Sequence, residues 1–339
     1  MSKTKPVTIV EVAAAAGVSI ATVSNVLNRG GIRSSQETIR KVEQAAEQLG
    51  YRRNTVAAGL SRSKTFEIGL IIPSFGGYYG NLAEYLQLEA YNAGYHLSVF
   101  TSGWFNPLIE RKNIEVLLQR RVDGLICHGL AMGQESTRSL VNNGTPLVMI
   151  NGWGWPADIA VGAVNLGFAG ACRDSVALLV ERGCDSLIYV GSKRSSVINE
   201  QRLQGFYAGL AQLGRDIPYQ VVDNWEVDIE VILRDSLAGA SERVGLVAFD
   251  DVVALKVVSA ANKLGIRIPE QLQITGINND IMAEISYPAI SSWSIPYPLQ
   301  AGTAINKLLH AFGQQDVRTE EREFEVPLSF IERETTKFM

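Results

Sequence analysis

Apolar residues recur at helical spacing from the first turns of the chain. Ile9, Val12, Ala13 and Ala16 mark one face of a short helix, Gly17 supplies a permissive turn, and Ser19 is placed to cap a second helix whose buried face is Val18, Val23, Val26 and Leu27. Small residues at Ala13 and Gly17, with Val23 opposite, let two helices pack closely at a steep angle, as a helix-turn-helix requires; an ordinary helical hairpin is the alternative for this stretch alone. The outward face of the second helix is then Ile20, Ala21, Ser24, Asn25 and Asn28, small and uncharged, better suited to base edges than to phosphates. After Gly30-Gly31, Ser34 and Glu37 have the spacing of a capping box, and Ile39, Val42, Ala45, Ala46 and Leu49 form the stripe of a third helix stopped by Gly50. Residues 1–50 thus read as one small all-α domain.

Residues 51–65 break the pattern. Two arginines precede the short run Thr55–Leu60, too short for a stable helix in water and weakened further by Gly59. The segment reads either as a flexible linker or as a hinge ordered by a partner, in which case Leu60 could wedge into a minor-groove base step.

From Phe66 onward strands alternate with helices. Strands are expected at Glu67–Ile72, His96–Thr101, Gly124–Cys127, Leu147–Ile150, Ile159–Val164, Ser186–Val190, Gln220–Val222, Gly245–Phe249, Gln273–Ile277 and Ser291–Trp293. Helices are expected between most of them, among them Leu82–Ala93, Ile109–Arg120, Phe168–Glu181, Leu203–Leu213 and Val252–Leu264. That alternation predicts two doubly wound parallel sheets of five or six strands, with a ligand cleft at their carboxyl ends.

Composition narrows the class. Of 339 residues, 46% are hydrophobic and 19% charged, and no apolar run approaches the roughly 20 residues that span a bilayer. The polar, basic Met1–Pro6 lacks a signal-peptide core, so a cytoplasmic protein is expected. Cys127, Cys172 and Cys184 are odd in number and set in apolar patterns, and read as reduced core residues. The net charge of −4 hides an asymmetry: residues 1–65 carry +6 and residues 66–339 carry −10. A phosphate backbone would attract the first part and repel the second.

Taken together, VTIVEVAAAAGVSIATVSNVLN, SSQETIRKVEQAAEQLGYRRN, the VAAGL hinge and IGLIIPSFGGYYGNLAEYLQLEAYNAGYHL resemble the lactose-repressor (LacI/GalR) family of bacterial transcription regulators. VDGLI, GSKRSSVINEQRLQGF, AFDDVVAL and IRIPEQLQITGINN extend the resemblance along the chain. It implies a helix-turn-helix domain (1–50), a hinge (51–65) and a periplasmic-binding-protein-like core (66–339). The core would divide into one subdomain of about 66–163 with 294–325 and another of about 164–293 with 326–339.

It also implies a cytoplasmic, nucleoid-associated homodimer that binds double-stranded operator DNA and a small effector, with no cofactor or metal. Base-reading positions match Ile20, Ala21 and Asn25; phosphate-contacting positions match Thr8, Ser19, Thr22, Ser24, Asn28 and Asn54; the minor-groove hinge matches Ala57 and Leu60. Asn25 stands where the family often has arginine, so adenine pairing is expected there, with Ile20 and Ala21 on thymine methyls. The effector positions match Ser74, Tyr78, Tyr79, Asn151, Arg202, Trp225, Asp250 and Asn278, a set suited to a sugar or sugar acid. Relative to the family, one acceptor charge is displaced between Asp250-Asp251 and Asn278. The effector is expected to act as an inducer, with a co-repressor as the alternative.

Two other classes are weighed against this. An enzyme is disfavoured because GxxxxGK[ST], GxGxxG after a strand and GxSxG are absent, and His96, His128 and His310 lack metal-ligand spacing. A sugar-binding transport protein would fit the core but not the basic DNA-binding module.

Overall fold

The computed structural model describes residues 7–27, 35–51, 64–193, 196–223, 226–238, 243–313 and 321–337. The chain forms two compact units, residues 1–65 and residues 66–339.

In the first unit, helix α1 (Ile9–Ala16) begins at Thr8, whose amide and hydroxyl donate to the Glu11 carboxylate at 2.6 and 2.9 Å. It closes on Gly17, left-handed at φ +65°, with Gly17 N–H donating to Ala14 O and Val18 N–H to Ala13 O. Helix α2 (Ile20–Leu27) follows at a bend of 103°, within the about 90–120° of a helix-turn-helix. Helix α3 (Gln36–Gln48) is capped by Ser35, which accepts from Thr38 N–H, and not by Ser34 as the sequence suggested. Glu37 consequently lies in the first turn and pairs with Lys41.

Val12, Val23 and Val42 are fully buried and, with Ala13, Ala45 and Ala46, make the core of the three helices. Leu49 does not complete the expected stripe; it is exposed. Gly50, at φ +63°, reverses the chain so that Tyr51 covers the core instead, its N–H bonded to Ala46 O at 2.8 Å. Tyr51, expected to open the linker, therefore packs with the helices.

The second unit contains two six-stranded sheets. The first is built from β1 (Glu67–Ile72), β2 (His96–Thr101), β3 (Gly124–His128), β4 (Leu147–Ile150), β5 (Gly162–Leu166) and β11 (Glu323–Val326), in the order β11-β5-β4-β3-β1-β2. The second is built from β6 (Ser186–Val190), β7 (Tyr219–Val222), β8 (Val244–Ala248), β9 (Leu272–Asn278), β10 (Ser291–Ser294) and β12 (Ser329–Ile331), in the order β12-β10-β9-β8-β6-β7. The helices of the first half are α4 (Tyr78–Asn92), α5 (Pro107–Gln119), α6 (Gln134–Val141), α7 (Phe168–Glu181) and α8 (Ser196–Gln212). Those of the second half are α9 (Ile229–Ala238), α10 (Asp251–Leu264), α11 (Ile281–Ile285) and α12 (Tyr297–Ala311).

This is a pair of doubly wound sheets, each reversing strand order between its first and third strands. The central strands are buried on both faces, which explains their nearly continuous apolar runs, GLICH in β3 and VGLVA in β8. The chain crosses between sheets three times, after β5, β10 and β11.

Several elements differ from expectation. Strands β11 and β12 went unread because they are short, partly polar edges, and β12 runs antiparallel to β10 where an all-parallel sheet was expected. Strand β5 runs from Gly162 to Leu166, not Ile159 to Val164, because a turn in which Ile159 and Ala160 N–H both bond Pro156 O occupies its expected start. The division expected between residues 163 and 164 falls inside this strand.

Helices α7 and α8 pack with unusual closeness. A Cβ at Gly205 would lie 2.1 Å from Ala169 O, and one at Gly209 would lie 2.7 Å from Val176 Cβ. This approach brings the first turn of α7 under the middle of α8, where Arg202 stands.

Candidate functional site

On the first unit, the face expected to meet DNA carries Ile20, 48% exposed, and exposed Ala21, with Ser24 and Asn25 half-buried beside them. Ser19 accepts Thr22 N–H at 3.1 Å and its hydroxyl lies 2.9 Å from Thr22 Oγ1, placing two hydroxyls at the N-terminal end of α2, where backbone dipoles favour an anion. Thr8 is already engaged by Glu11. Asn28, Asn54, Ala57 and Leu60 lie outside the described residues, as does Trp225.

In the second unit, Ser74, Tyr78, Tyr79, Asn151, Arg202, Asp250 and Asn278 line one cavity of about 250 Å³. Topology brings them together. Ser74 and Tyr78 follow β1, while Ser192 follows β6 and Asp250 follows β8, so the cavity lies at the switch points of both sheets.

Arg202 is its centre and is only 3% exposed. Its guanidinium carbon sits 4.1 Å from the Phe168 ring centroid and 4.0 Å from that of Phe249, and it donates to Phe249 O. Burial lowers its pKa, opposed by Tyr189 and then Asp250. Asp250 caps α10 by accepting Val253 N–H at 2.9 Å, and burial raises its carboxyl above the usual range.

Two buried polar atoms of this cavity, Ser74 Oγ and Arg202 Nε, have no hydrogen-bond partner among the described residues. Buried donors are rarely left so, and a polar ligand would satisfy both.

Asn151, left-handed at φ +51°, is fixed from three sides. Its Oδ1 accepts Leu166 N–H at 3.0 Å, and its Nδ2 reaches His128 Nε2 at 3.0 Å and Tyr78 Oη at 3.4 Å. Tyr78 is tied to α12 through Gln300 Nε2 at 2.9 Å. His128, which sequence reasoning weighed only as a metal ligand, sits behind the cavity with its ring edge-on to Tyr78 and Tyr79. Burial pushes its pKa down to about 3, so the ring is neutral and accepts from Asn151. Among the described residues, no group of three His, Cys, Asp or Glu is arranged to hold a metal ion.

Asp250 and Asp251 turn apart. Asp250 faces the cavity, whereas Asp251 is fully buried and accepts Ser292 Oγ–H at 2.6 Å and Asp280 N–H at 2.8 Å. Its neighbour Gly276 is required, since a Cβ there would lie 2.2 Å from Asp251 Oδ1. Asp280, unforeseen in the sequence, also lines the cavity and offers the carboxylate that Asn278 does not. Trp104, Phe105, Phe168 and Phe249 were likewise missed, although Phe249 lies within the AFDD motif. Trp104 and Phe105 adopt φ +61° and +63°, rare for bulky residues and common where a loop is held for function.

Burial raises the Asp251 carboxyl to about 7. A carboxyl raised in the folded state stabilises fully below its unfolded value near 3.9 and loses that contribution as pH rises towards 7. The variant Asp251→Asn keeps an acceptor for Asp280 N–H and is expected to gain stability over the parent progressively from about pH 4 to pH 7, then hold a constant advantage. Thermal melts of both proteins across that range check this; parallel curves would refute it.

Residues 8–54 match the model for bacterial regulatory proteins of the lacI family, and residues 176–336 match a periplasmic binding protein-like domain. Catabolite control protein A of Staphylococcus aureus (strain Mu50 / ATCC 700699) is 31% identical over 338 residues, covering 98% of this chain and 99% of that protein. The lac repressor dimer bound to operator and the anti-inducer ONPF shares the fold with a TM-score of 0.83 at 22% identity, over 98% of this chain and 99% of that one. A periplasmic binding protein/LacI transcriptional regulator from Alkaliphilus metalliredigens QYMF, complexed with D-xylulofuranose, has a TM-score of 0.65 at 23% identity, over 80% of this chain and 99% of that one.

Proposed function

The chain belongs to the LacI family of bacterial regulatory proteins, and from that premise we propose that it is a cytoplasmic transcriptional repressor of a carbohydrate or sugar-acid utilisation operon, released from its operator when a sugar-like effector fills the core cleft. The observation that carries the effector reading is the cavity at the two switch points, where a buried arginine, a hydroxyl without a partner among the described residues and two carboxylates converge. Those groups match the alternating donors and acceptors of a polyol, and Phe168 and Phe249 offer ring faces beside them. A binding role accounts for Asp250 and Asp251 better than catalysis does, because the two carboxylates do not share the cavity.

A gel shift with an operator fragment, with and without sugars, sugar acids and phosphorylated sugars, tests the reading. Release by one of them is expected, and a ligand that tightens the complex would replace inducer by co-repressor.

On the operator, Ile20 and Ala21 pack on thymine methyls and Asn25 pairs with an adenine edge, while Thr8, Ser19, Thr22 and Ser24 meet phosphates. Selection from random DNA is expected to return half-sites with fixed A·T pairs at those positions; half-sites without that preference would sink the assignment.

The protein acts as a homodimer. Ile281, Ile285 and Tyr287, close in sequence and exposed at 65%, 71% and 82%, are large apolar side chains of the kind a subunit interface covers. Ile285→Asp is expected to weaken dimerisation at least a hundredfold in sedimentation velocity and to weaken operator binding with it. A dimer of unchanged strength would place the interface elsewhere.

A further inference from the structure

Beside the Arg202 cavity lies a second one of about 360 Å³, and Phe105, Asn151 and Ile198 line both. The first cavity alone is small, below the about 300–1,000 Å³ usual for organic ligands, whereas the two in sequence fall within that range. Their walls are continuous. The guanidinium of Arg202 lies on Phe168, Phe168 packs on Trp153 at 6.3 Å between ring centroids, and Trp153 lines the second cavity.

The two differ in chemistry. Arg202, Asp250 and Asp280 charge the first, while among the described residues lining the second the only charged side chain is Lys193, and Trp153, Trp155 and Met132 supply apolar surface. Phe105 stands at the junction, held in its left-handed conformation over Gly129, where an added Cβ would sit 3.4 Å from its ring.

Resting on the carbohydrate reading above, we propose that the effector is a disaccharide, with one ring fixed by polar groups around Arg202 and the second, more weakly polar in its contacts, stacked on Trp153 past Phe105. The charged cavity sets which sugar enters, and the aromatic cavity sets what is joined to it. A sugar ring presents an apolar C–H face to an indole while its hydroxyls remain at the rim, where Lys193 and Gln134 stand.

Calorimetric titration of the full chain with glucose, galactose and xylose, and with maltose, cellobiose, lactose, melibiose, sucrose and trehalose, tests the proposal. At least one disaccharide is expected to bind tenfold or more tighter than its component monosaccharides. Trp153→Ala should remove that gain. Because Trp153 also supports Phe168, Val197→Trp provides a second test: Val197 is half-exposed on the first turn of α8 and lines only the second cavity, so a bulky side chain there should exclude the disaccharide and spare the monosaccharide. A monosaccharide that binds as tightly as every disaccharide containing it overturns the two-ring assignment and leaves the carbohydrate reading intact. If no sugar binds while operator binding persists, both fail together.

Discussion

Arg202→Met is expected to yield a protein that folds, holds its operator and no longer answers its effector. The guanidinium occupies a slot between Phe168 and Phe249 only about one side chain wide, and methionine fills such a slot without leaving a void. What is lost is the fork of charged donors that faces the cavity. Hydrogen bonds to a charged group contribute about 1.5–3 kcal/mol each, so losing two of them weakens effector binding by more than about a hundredfold. Stability should change little, because removing a buried charge without strong pairing also removes its desolvation cost. Lysine should not rescue, since an ammonium can neither stack between the rings nor present two parallel donors. Calorimetry for the effector and a gel shift for the operator separate the two functions, and effector affinity retained within tenfold would remove Arg202 from the site.

The second large effect is expected at the other end of the chain. Val23→Asp places a carboxylate among Val12, Val42, Ala13, Ala45 and Ala46, in a three-helix core that is small to begin with. Burying a charge without a partner costs several kcal/mol, comparable to the whole stability such a unit can have. Operator affinity should fall by more than about a thousandfold while the melting of the core and its effector binding stay as in the parent. Operator binding within tenfold of the parent would show that the helices tolerate the charge, which their packing argues against.

Much of this was legible in the residues. Gly17 and Gly50 end α1 and α3 in the same left-handed turn, and apolar residues at 3.6-residue spacing before and between them marked the three helices. The central strands showed themselves because burial on both faces forces unbroken apolar runs, as in β4 with LVMI. The edge strands β11 and β12 did not, since one side of an edge needs no such run and their sequences EFEV and SFI resemble loops.

Ser74, Tyr78, Tyr79, Asn151, Arg202, Asp250 and Asn278 were reached through the family resemblance, whereas Asp280 and the aromatic Trp104, Phe105, Phe168 and Phe249 were not. Phe168 reads as one more apolar residue at a helix start; only the close crossing of α7 and α8 at Gly205 and Gly209 makes it a bed for Arg202. His128 was hidden for a related reason. Its role is to hold Asn151, and a supporting residue carries no local pattern of its own.

The three crossings of the chain also constrain how the protein is made. Strand β11 closes one sheet against β5 and strand β12 closes the other against β10, yet both follow every other strand of the two sheets in the chain. On the ribosome, the helices of the first unit can pack as soon as residue 51 is clear of the exit tunnel, whereas each core sheet waits with an open edge until the segment 323–331 has been made. Nascent chains stalled before residue 323 should therefore carry a finished DNA-reading head on a core whose strand edges are still unpaired, the state in which chaperones have most reason to hold them.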